Sequence, residues 1–137
     1  MWKRMLFGIA GLAAVGLIQA ATPATDEPSL YFISPQDGET VTSPVTVRFG
    51  LRGMGVAPAG VEKAGTGHHH LLVDVTELPK GVPIPADDHH KHFGAGQTET
   101  TLELAPGRHT LQLLLGDYAH VPHDPPVVSK SITITVK

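Results

Sequence analysis

Short segments in which apolar and polar residues alternate, separated by Gly and Pro, are the feature that most limits what this chain can fold into. In SPVTVRFGL the apolar Val45, Val47 and Phe49 alternate with Thr and Arg, and in HTLQLLLGD Leu111 and Leu113 flank a glutamine. Side chains of a β-strand point to opposite faces with a period of two residues, so such segments each offer one apolar face. No stretch has the 3.6-residue spacing of an amphipathic helix over a helical length. The pattern predicts an all-β protein.

The number and spacing of these segments indicate the architecture. Strands are predicted at LYFIS, SPVTVRFGL, HHLLVDV, QTETTLEL, HTLQLLLGD and KSITITVK. Between them, SPQDGE, LAPGRH and HDPPV contain the Pro, Gly and Asp residues that favour turns. Six or seven short strands in one small domain predict two packed antiparallel sheets, an immunoglobulin- or fibronectin-III-like β-sandwich. A small barrel is the alternative.

The first twenty residues, MWKRMLFGIAGLAAVGLIQA, have the layout of a secretory signal peptide. Lys3 and Arg4 precede an apolar run, and Ala20 is a suitable residue before the cleavage point. An uncleaved membrane anchor is the alternative, but the apolar run of residues 5–18 is short for about 30 Å of hydrocarbon. We therefore expect an exported protein, periplasmic or extracellular, with no membrane span after cleavage.

The rest of the chain is expected to form one domain. Residues 21–29 are small, polar and Pro-containing, which is typical of a flexible lead-in, and residues 30–137 carry the strand pattern. Loss of the two cations of the signal peptide changes the formal net charge from −3 to −5. No basic patch remains to bind nucleic acid. The few aromatic residues also argue against a surface on which carbohydrate could stack.

Eight of the nine histidines lie in three groups beside long Gly- and Pro-rich loops. The groups are TGHHHLLVDV, DDHHKHFG and YAHVPHDPP, and the loops are residues 52–67 and 77–96. Loops of this length in a compact domain are commonly functional or disordered. In a sandwich, loops at one end lie close together although they are distant in sequence. We expect both loops to meet residues 117–126 at one end of the domain.

The spacing of the histidines is suited to a metal ion. Two residues at positions i and i+2 of a strand project from the same face roughly 6.5–7 Å apart, from which two imidazoles can reach one ion. The pairs His68/His70 and His90/His92 have this spacing, and a further pair follows in the third group. The candidate metal ligands are His68, His70, His90, His92, His120 and His123.

The composition limits which ion such a site would hold. The chain has no cysteine, and Met54 is the only methionine left after removal of the signal peptide. An ion must then be bound by nitrogen and oxygen, which favours copper as Cu(II), followed by zinc. Ligating imidazoles are neutral, so protons should compete below about pH 6.5 and displace the ion by about pH 5.

Two other histidines have structural interpretations. His69 shares the face of Leu71 and Val73, so we expect it to be partly buried and hydrogen-bonded. His109 follows a Pro-Gly turn, and we expect it to fix the start of a strand by bonding a backbone group. Nearby aspartates could orient imidazoles or bind the ion directly: Asp74, Asp87, Asp88, Asp117 and Asp124.

The sequence favours binding over catalysis. It contains no Gly-x-Ser-x-Gly, Ser-x-x-Lys or His-Glu-x-x-His motif, although an open metal site could still activate water or O₂. The alternative to metal binding is an interaction module of the cell envelope, with an unknown protein partner and structural histidines.

Several motifs together give the chain a resemblance to a known family. They are GMGVAPAG, GHHHLL, HFGAGQTE, HTLQLLLGD and HVPHDPP, and they are spread over nearly all of the expected mature protein. In this combination the chain resembles the bacterial family called domain of unknown function 4399. The family's His-x-His-Phe-Gly pattern falls on His90, His92, Phe93 and Gly94 and leaves His89 outside it. The resemblance implies an exported single domain and assigns no activity.

Overall fold

The structure, a computed structural model, describes residues 27–137. This part of the chain forms nine strands and no helix. The expected signal peptide of residues 1–20 and most of the lead-in lie outside the described residues. Among the described residues, none forms a helix long and apolar enough to cross a membrane. The strands are β1 (Ser29–Ser34), β2 (Thr40–Val41), β3 (Val45–Arg52), β4 (Gly55–Val56), β5 (Thr66–Val73), β6 (His90–His92), β7 (Glu99–Leu102), β8 (Gly107–Gly116) and β9 (Ile132–Val136).

The strands form two sheets, which confirms the all-β sandwich. The smaller sheet has the order β1-β3-β7, and the larger has the order β2-β9-β8-β5-β4, with β6 also paired to β5. In an immunoglobulin-like sandwich strands A, B and E share one sheet and C, F and G the other. Strands β1, β3 and β7 occupy the first set of positions here, and β5, β8 and β9 the second.

The core lies between the sheets and is built from the faces that alternation predicts. Val45, Val47 and Phe49 of β3 pack in one apolar cluster with the inward residues of the larger sheet. Those residues are Leu71 and Val73 of β5, Leu111, Leu113 and Leu115 of β8, and Ile132, Ile134 and Val136 of β9. Burial of such side chains contributes about 1.5–3 kcal/mol each, and it fixes the face that each strand turns outward.

Two strand pairs are parallel, whereas the sequence predicts purely antiparallel sheets. β2 pairs with β9 in parallel, and β4 pairs with β5 in parallel. Each of these edge strands has only two residues, too few for alternation to reveal. The six longer predicted strands are all present, and three short ones, β2, β4 and β6, add to them.

The outer face of the larger sheet is also covered. Leu72 of β5 and Leu114 of β8 form a second apolar cluster with Ile84, which comes from the long loop between β5 and β6. Val75, Leu78 and Val128 pack around this cluster. As a result β5 is buried on both faces from Gly67 to Val73, although it neighbours the edge of the sheet.

The three loops meet at one end of the sandwich, as the histidine grouping predicts. Three backbone hydrogen bonds join them: Gly60 N–H to Tyr118 O at 2.9 Å, Ala59 N–H to Gly94 O at 2.8 Å, and Ile84 N–H to His120 O at 2.8 Å. Backbone pairing of this kind holds the loops in fixed positions relative to each other.

Candidate metal centre

Strand β5 presents His68 and His70 on the outer face of the larger sheet. Both side chains have no solvent exposure, and their ring centroids lie 4.8 Å apart. The neighbouring strand β8 places Gly116 opposite His68. Because glycine has no side chain, the two imidazoles have room to lie against the sheet at this point.

The short strand β6 adds a third histidine. Its register pairs His92 with His70, so the two side chains lie side by side on the same face. The ring centroid of His92 is 5.1 Å from that of His68 and 5.1 Å from that of His70. Unlike the β5 pair, His92 is exposed. The group therefore has a buried floor and a side open to solvent.

His120 reaches the same place from the loop after β8. Its ring centroid lies 5.0 Å from that of His68, 4.8 Å from that of His92 and 6.1 Å from that of His70. The backbone of His120 has a φ of 67°, a conformation that few residues other than glycine adopt. Its N–H donates to the carbonyl of Asp117 at 3.0 Å, and the Ile84 N–H donates to its carbonyl. These two hydrogen bonds hold the backbone of His120 in a conformation that a residue other than glycine rarely adopts.

Three of these side chains can share one ion. One nitrogen from each of His68, His70 and His92 lies within 4.8 Å of the other two. Two nitrogens bound to one ion at about 2.0–2.1 Å can be at most roughly 4.2 Å apart. Small rotations of the rings are therefore enough to bring all three into the ligand shell of a single ion.

The electrostatics of the group favour neutral imidazoles. Burial, together with repulsion by the neighbouring histidines, lowers the pKa of His68 to about 4 and that of His70 to about 3. Burial, then the charge of His120, also lowers the pKa of His92 below its ordinary value. A neutral imidazole is the form that binds a metal ion, so the group is ready for an ion at neutral pH.

The ring nitrogens of His68 and His70 are all buried without a hydrogen-bond partner in the described part of the chain. Buried polar atoms nearly always have a partner, and leaving one unsatisfied costs about 1–3 kcal/mol. Coordination of an ion would satisfy one nitrogen of each ring. The donor set therefore fits a metal ion that prefers nitrogen ligands.

His69 has a different environment from its neighbours. Its side chain points into the core, where its ring centroid lies 5.1 Å from that of Phe49. It is fully buried and neither ring nitrogen has a partner among the described residues, so the expected hydrogen bond is not found. Burial lowers its pKa to about 4. Since it faces away from the outer surface of β5, it cannot join the other three rings.

Two predicted ligands are not brought to this group. The register of β6 places His90 opposite Leu72 rather than opposite a histidine, and its Nδ1 bonds Asp87 Oδ1 at 2.7 Å. This bond lowers the pKa of Asp87. The Nε2 of His123 lies 3.2 Å from the carbonyl of Thr66. Their role as ligands stays a prediction, and the geometry does not favour it.

His109 has the structural environment that its position predicts. Its Nε2 lies 2.8 Å from the carbonyl of Ala105, and its Nδ1 lies 2.8 Å from Asp74 Oδ2. The bond to Asp74, then that to Ala105, raises the pKa of His109. Asp74 is thus engaged at the start of β8, away from the group of three histidines.

The roles of two glycines at this site were not predicted from the sequence, whereas Asp117 was among the aspartates expected to orient imidazoles. A Cβ at Gly116 would lie 2.8 Å from His70 Cε1 and 3.4 Å from His120 Cα, and one at Gly94 would lie 2.7 Å from His92 Nε2. Asp117 Oδ1 accepts the N–H groups of Ala119 and Val121, which shapes the loop that carries His120. The segments GHHHLL and HTLQLLLGD contain the strand ends that pair His68 with Gly116, but the sequence does not show how closely the side chains approach that glycine.

Most of the chain matches a known family model. Residues 47–137 match the family model described as "Domain of unknown function (DUF4399)". The matched residues include every histidine of the group. No curated protein and no solved structure matches the chain.

Proposed function

Because the chain belongs to the DUF4399 family, whose description names no activity, we propose a function from its own residues: it is an exported protein that binds one Cu(II) or Zn(II) ion. The ion is held by His68, His70 and His92, which lie on two paired strands. His120 touches all three rings from the adjoining loop.

The convergence of three imidazoles is the observation that carries the proposal. Their candidate ligand atoms lie within 4.8 Å of one another, and two of the three rings are fully buried without hydrogen-bond partners in residues 27–137. A purely structural cluster would bury several imidazoles that all become positively charged in acid. Burying them costs free energy that apolar side chains at the same positions would not. Metal binding supplies the missing favourable interaction.

The ligand set supports copper first and zinc second. All three ligands are imidazoles, and at nitrogen sites Cu(II) binds more tightly than Zn(II) in the Irving–Williams order. Both ions accept histidine ligation without sulfur. The availability of each ion where the protein works decides which one it carries.

Export to the cell envelope is supported by the N-terminal sequence. Residues 1–20 have the charged start, apolar run and small terminal residue of a secretory signal peptide. The chain contains no cysteine, so an oxidising compartment would not alter its ligands. A histidine-only site is suited to such an environment.

Titration of the apo-protein tests the proposal. We expect one equivalent of Cu(II) or Zn(II) to bind at pH 7.5, measured by calorimetry and by metal analysis after gel filtration. Loss of a residue that merely orients a metal ligand typically costs about 10- to 100-fold in affinity, so His92→Ala, which removes one of three ligands, should weaken binding by at least about a hundredfold. His92 is exposed, so this variant should keep the wild-type fold.

His90→Ala is the matched control. His90 lies two residues away on the same strand, but its Nδ1 is bonded to Asp87. Its removal should leave the affinity within about threefold of wild type. Absence of stoichiometric uptake by the wild-type protein would return the histidines to the structural interpretation and favour the interaction module of the envelope.

A further inference from the structure

The group of three histidines has an open side. His68 and His70 lie beneath the protein surface with no exposure, whereas His92 is exposed and His120 is half-buried. An ion bound between the three rings would be shielded by the sheet below it. Its remaining coordination position would face solvent, between the exposed His92 and the loop of His120.

The protein leaves that ion with most of its positive charge. Ligating imidazoles are neutral, so three of them do not reduce the charge of a divalent ion. Asp117 lies close enough to act electrostatically on His68, but its Oδ1 accepts two backbone N–H groups and shapes the loop. No carboxylate belongs to the group of candidate ligands in residues 27–137. A small anion can supply the compensating negative charge that the protein does not.

His120 borders the group of three histidines without belonging to the set of ligand atoms that lie within 4.8 Å of one another. Its ring touches those of His68 and His92. Hydrogen bonds to its N–H and its carbonyl hold its backbone in place. A fixed imidazole next to a metal-bound ligand can donate a hydrogen bond to it.

We propose that the ion bound by His68, His70 and His92 carries an exchangeable water at its solvent-facing position, that a small monovalent anion replaces this water, and that His120 hydrogen-bonds the bound anion. This inference rests on the proposed metal site and adds to it a class of second ligand. The protein then binds an ion and an anion together, which a closed storage site would not do.

The test uses the full mature protein loaded with Cu(II) and titrated with sodium azide. Copper stoichiometry is measured first, by metal analysis after gel filtration. Azide binding is then followed by the charge-transfer absorption of a copper–azide bond and by the change in the Cu(II) electron paramagnetic resonance spectrum. We expect one saturable azide for each copper.

His120→Ala separates an anion partner from a metal ligand. We expect the variant to keep one copper per chain, with its affinity within about threefold of wild type, and to bind azide about tenfold more weakly, because it lacks one charge-assisted hydrogen bond. His90→Ala should match wild type in both measurements.

Each other result overturns the inference in a distinguishable way. Failure of the wild-type protein to bind copper removes the metal site itself and this inference with it. Stoichiometric copper with no spectral response to azide removes the open position and leaves the metal site intact. Loss of copper in His120→Ala shows that His120 is a ligand. An unchanged azide affinity in that variant shows that His120 does not contact the anion.

Discussion

At the scale of single residues, Gly116 decides whether the site has room to form. A side chain there would meet His70 Cε1 at 2.8 Å and His70 Nδ1 at 3.2 Å, closer than ordinary contacts. We expect Gly116→Ala to lower the free energy of unfolding by about 1–3 kcal/mol through overpacking, and to weaken metal binding by displacing His70. Thermal denaturation and metal titration of the same variant measure both effects.

Gly55→Ala is the control for this substitution. Gly55 also lies in a strand, but a Cβ there would meet only Thr66 Cγ2, at an ordinary 3.6 Å. It should change neither metal affinity nor stability by more than about 0.5 kcal/mol. If both glycine variants bound metal like the wild-type protein, the space beside His70 would not matter for the site.

At the scale of strands and loops, Asp74 and His109 join the end of β5 to the start of β8. Asp74 Oδ1 accepts the Thr110 N–H at 2.9 Å, and Asp74 Oδ2 bonds His109. Partial burial opposes ionisation of Asp74, but the bonds from His109 and Thr110 outweigh it and lower its pKa. The charge of His89 acts in the same direction. The pair therefore carries opposite charges between the lowered pKa of Asp74 and the raised pKa of His109.

His109→Ala should lower stability by an amount that depends on pH. A histidine whose pKa is raised on folding contributes fully below its unfolded value near 6.5 and loses the contribution as pH rises through the folded value. We expect a loss of about 1 kcal/mol, roughly 4–8 °C in melting temperature, at pH 6 and a smaller loss at pH 9. The loss should be equal with and without metal, and a larger loss at pH 9 would contradict the assignment of the pair.

Strand alternation predicted the two-sheet fold and the face of each histidine on β5, because both depend on local periodicity. It predicted that His68 and His70 lie on one face of β5 and that Leu71 and Val73 lie on the other, as found. It could not show that the outer face is buried, because that depends on how the long loop after β5 folds back to pack Ile84 against Leu72 and Leu114. Alternation reports which residues share a face and not what covers it.

The group of three histidines that could hold an ion was predicted in part, for a similar reason. The sequence placed the pair His90/His92 in a loop, whereas both residues lie in the short strand β6. The register of β6 against β5 sets His92 beside His70 and His90 beside Leu72. Register between strands joined by a long loop is a property of tertiary packing. The contribution of Gly116 and Gly94 is likewise invisible in sequence, because it depends on which side chains approach them.

At the scale of the whole molecule, the buried histidines make the stability of the fold depend on pH. The pKa values of His68, His69 and His70 are lowered to about 4, about 4 and about 3. In the unfolded chain they return to near 6.5, so the unfolded state binds more protons between these values. Each such histidine then reduces the free energy of unfolding by about 1.4 kcal/mol for each pH unit of acidification in that range.

The metal-free protein should therefore lose stability as pH falls below about 6.5, and most of the loss should be complete near pH 4. For groups whose pKa is depressed on folding, the stabilising contribution is present above the unfolded value and is lost as pH falls through the folded value. Melting temperatures of the metal-free protein between pH 7.5 and 4 measure this. A melting temperature that stays constant over that range would show that the rings of His68, His69 and His70 are not buried in their neutral form.

Burial also moves the pH at which protons displace the ion, and this changes the expectation based on an ordinary histidine. In the folded protein His68 and His70 stay neutral down to about pH 4 and about pH 3, so protons compete weakly for these two rings at pH 5. Burial, then the charge of His120, lowers the pKa of His92 in the same direction. Bound metal adds RT ln(1 + [L]/Kd), about 2.7 kcal/mol at a hundredfold excess over Kd, to the free energy of unfolding. We expect the metal-induced rise in melting temperature to persist at pH 5 and to disappear below about pH 4.

His92→Ala should abolish the rise at every pH, whereas His90→Ala should leave it unchanged. A rise already lost at pH 5 in the wild-type protein would mean that the ligating rings titrate as exposed histidines do, and a rise that survives in His92→Ala would place the ion on other residues.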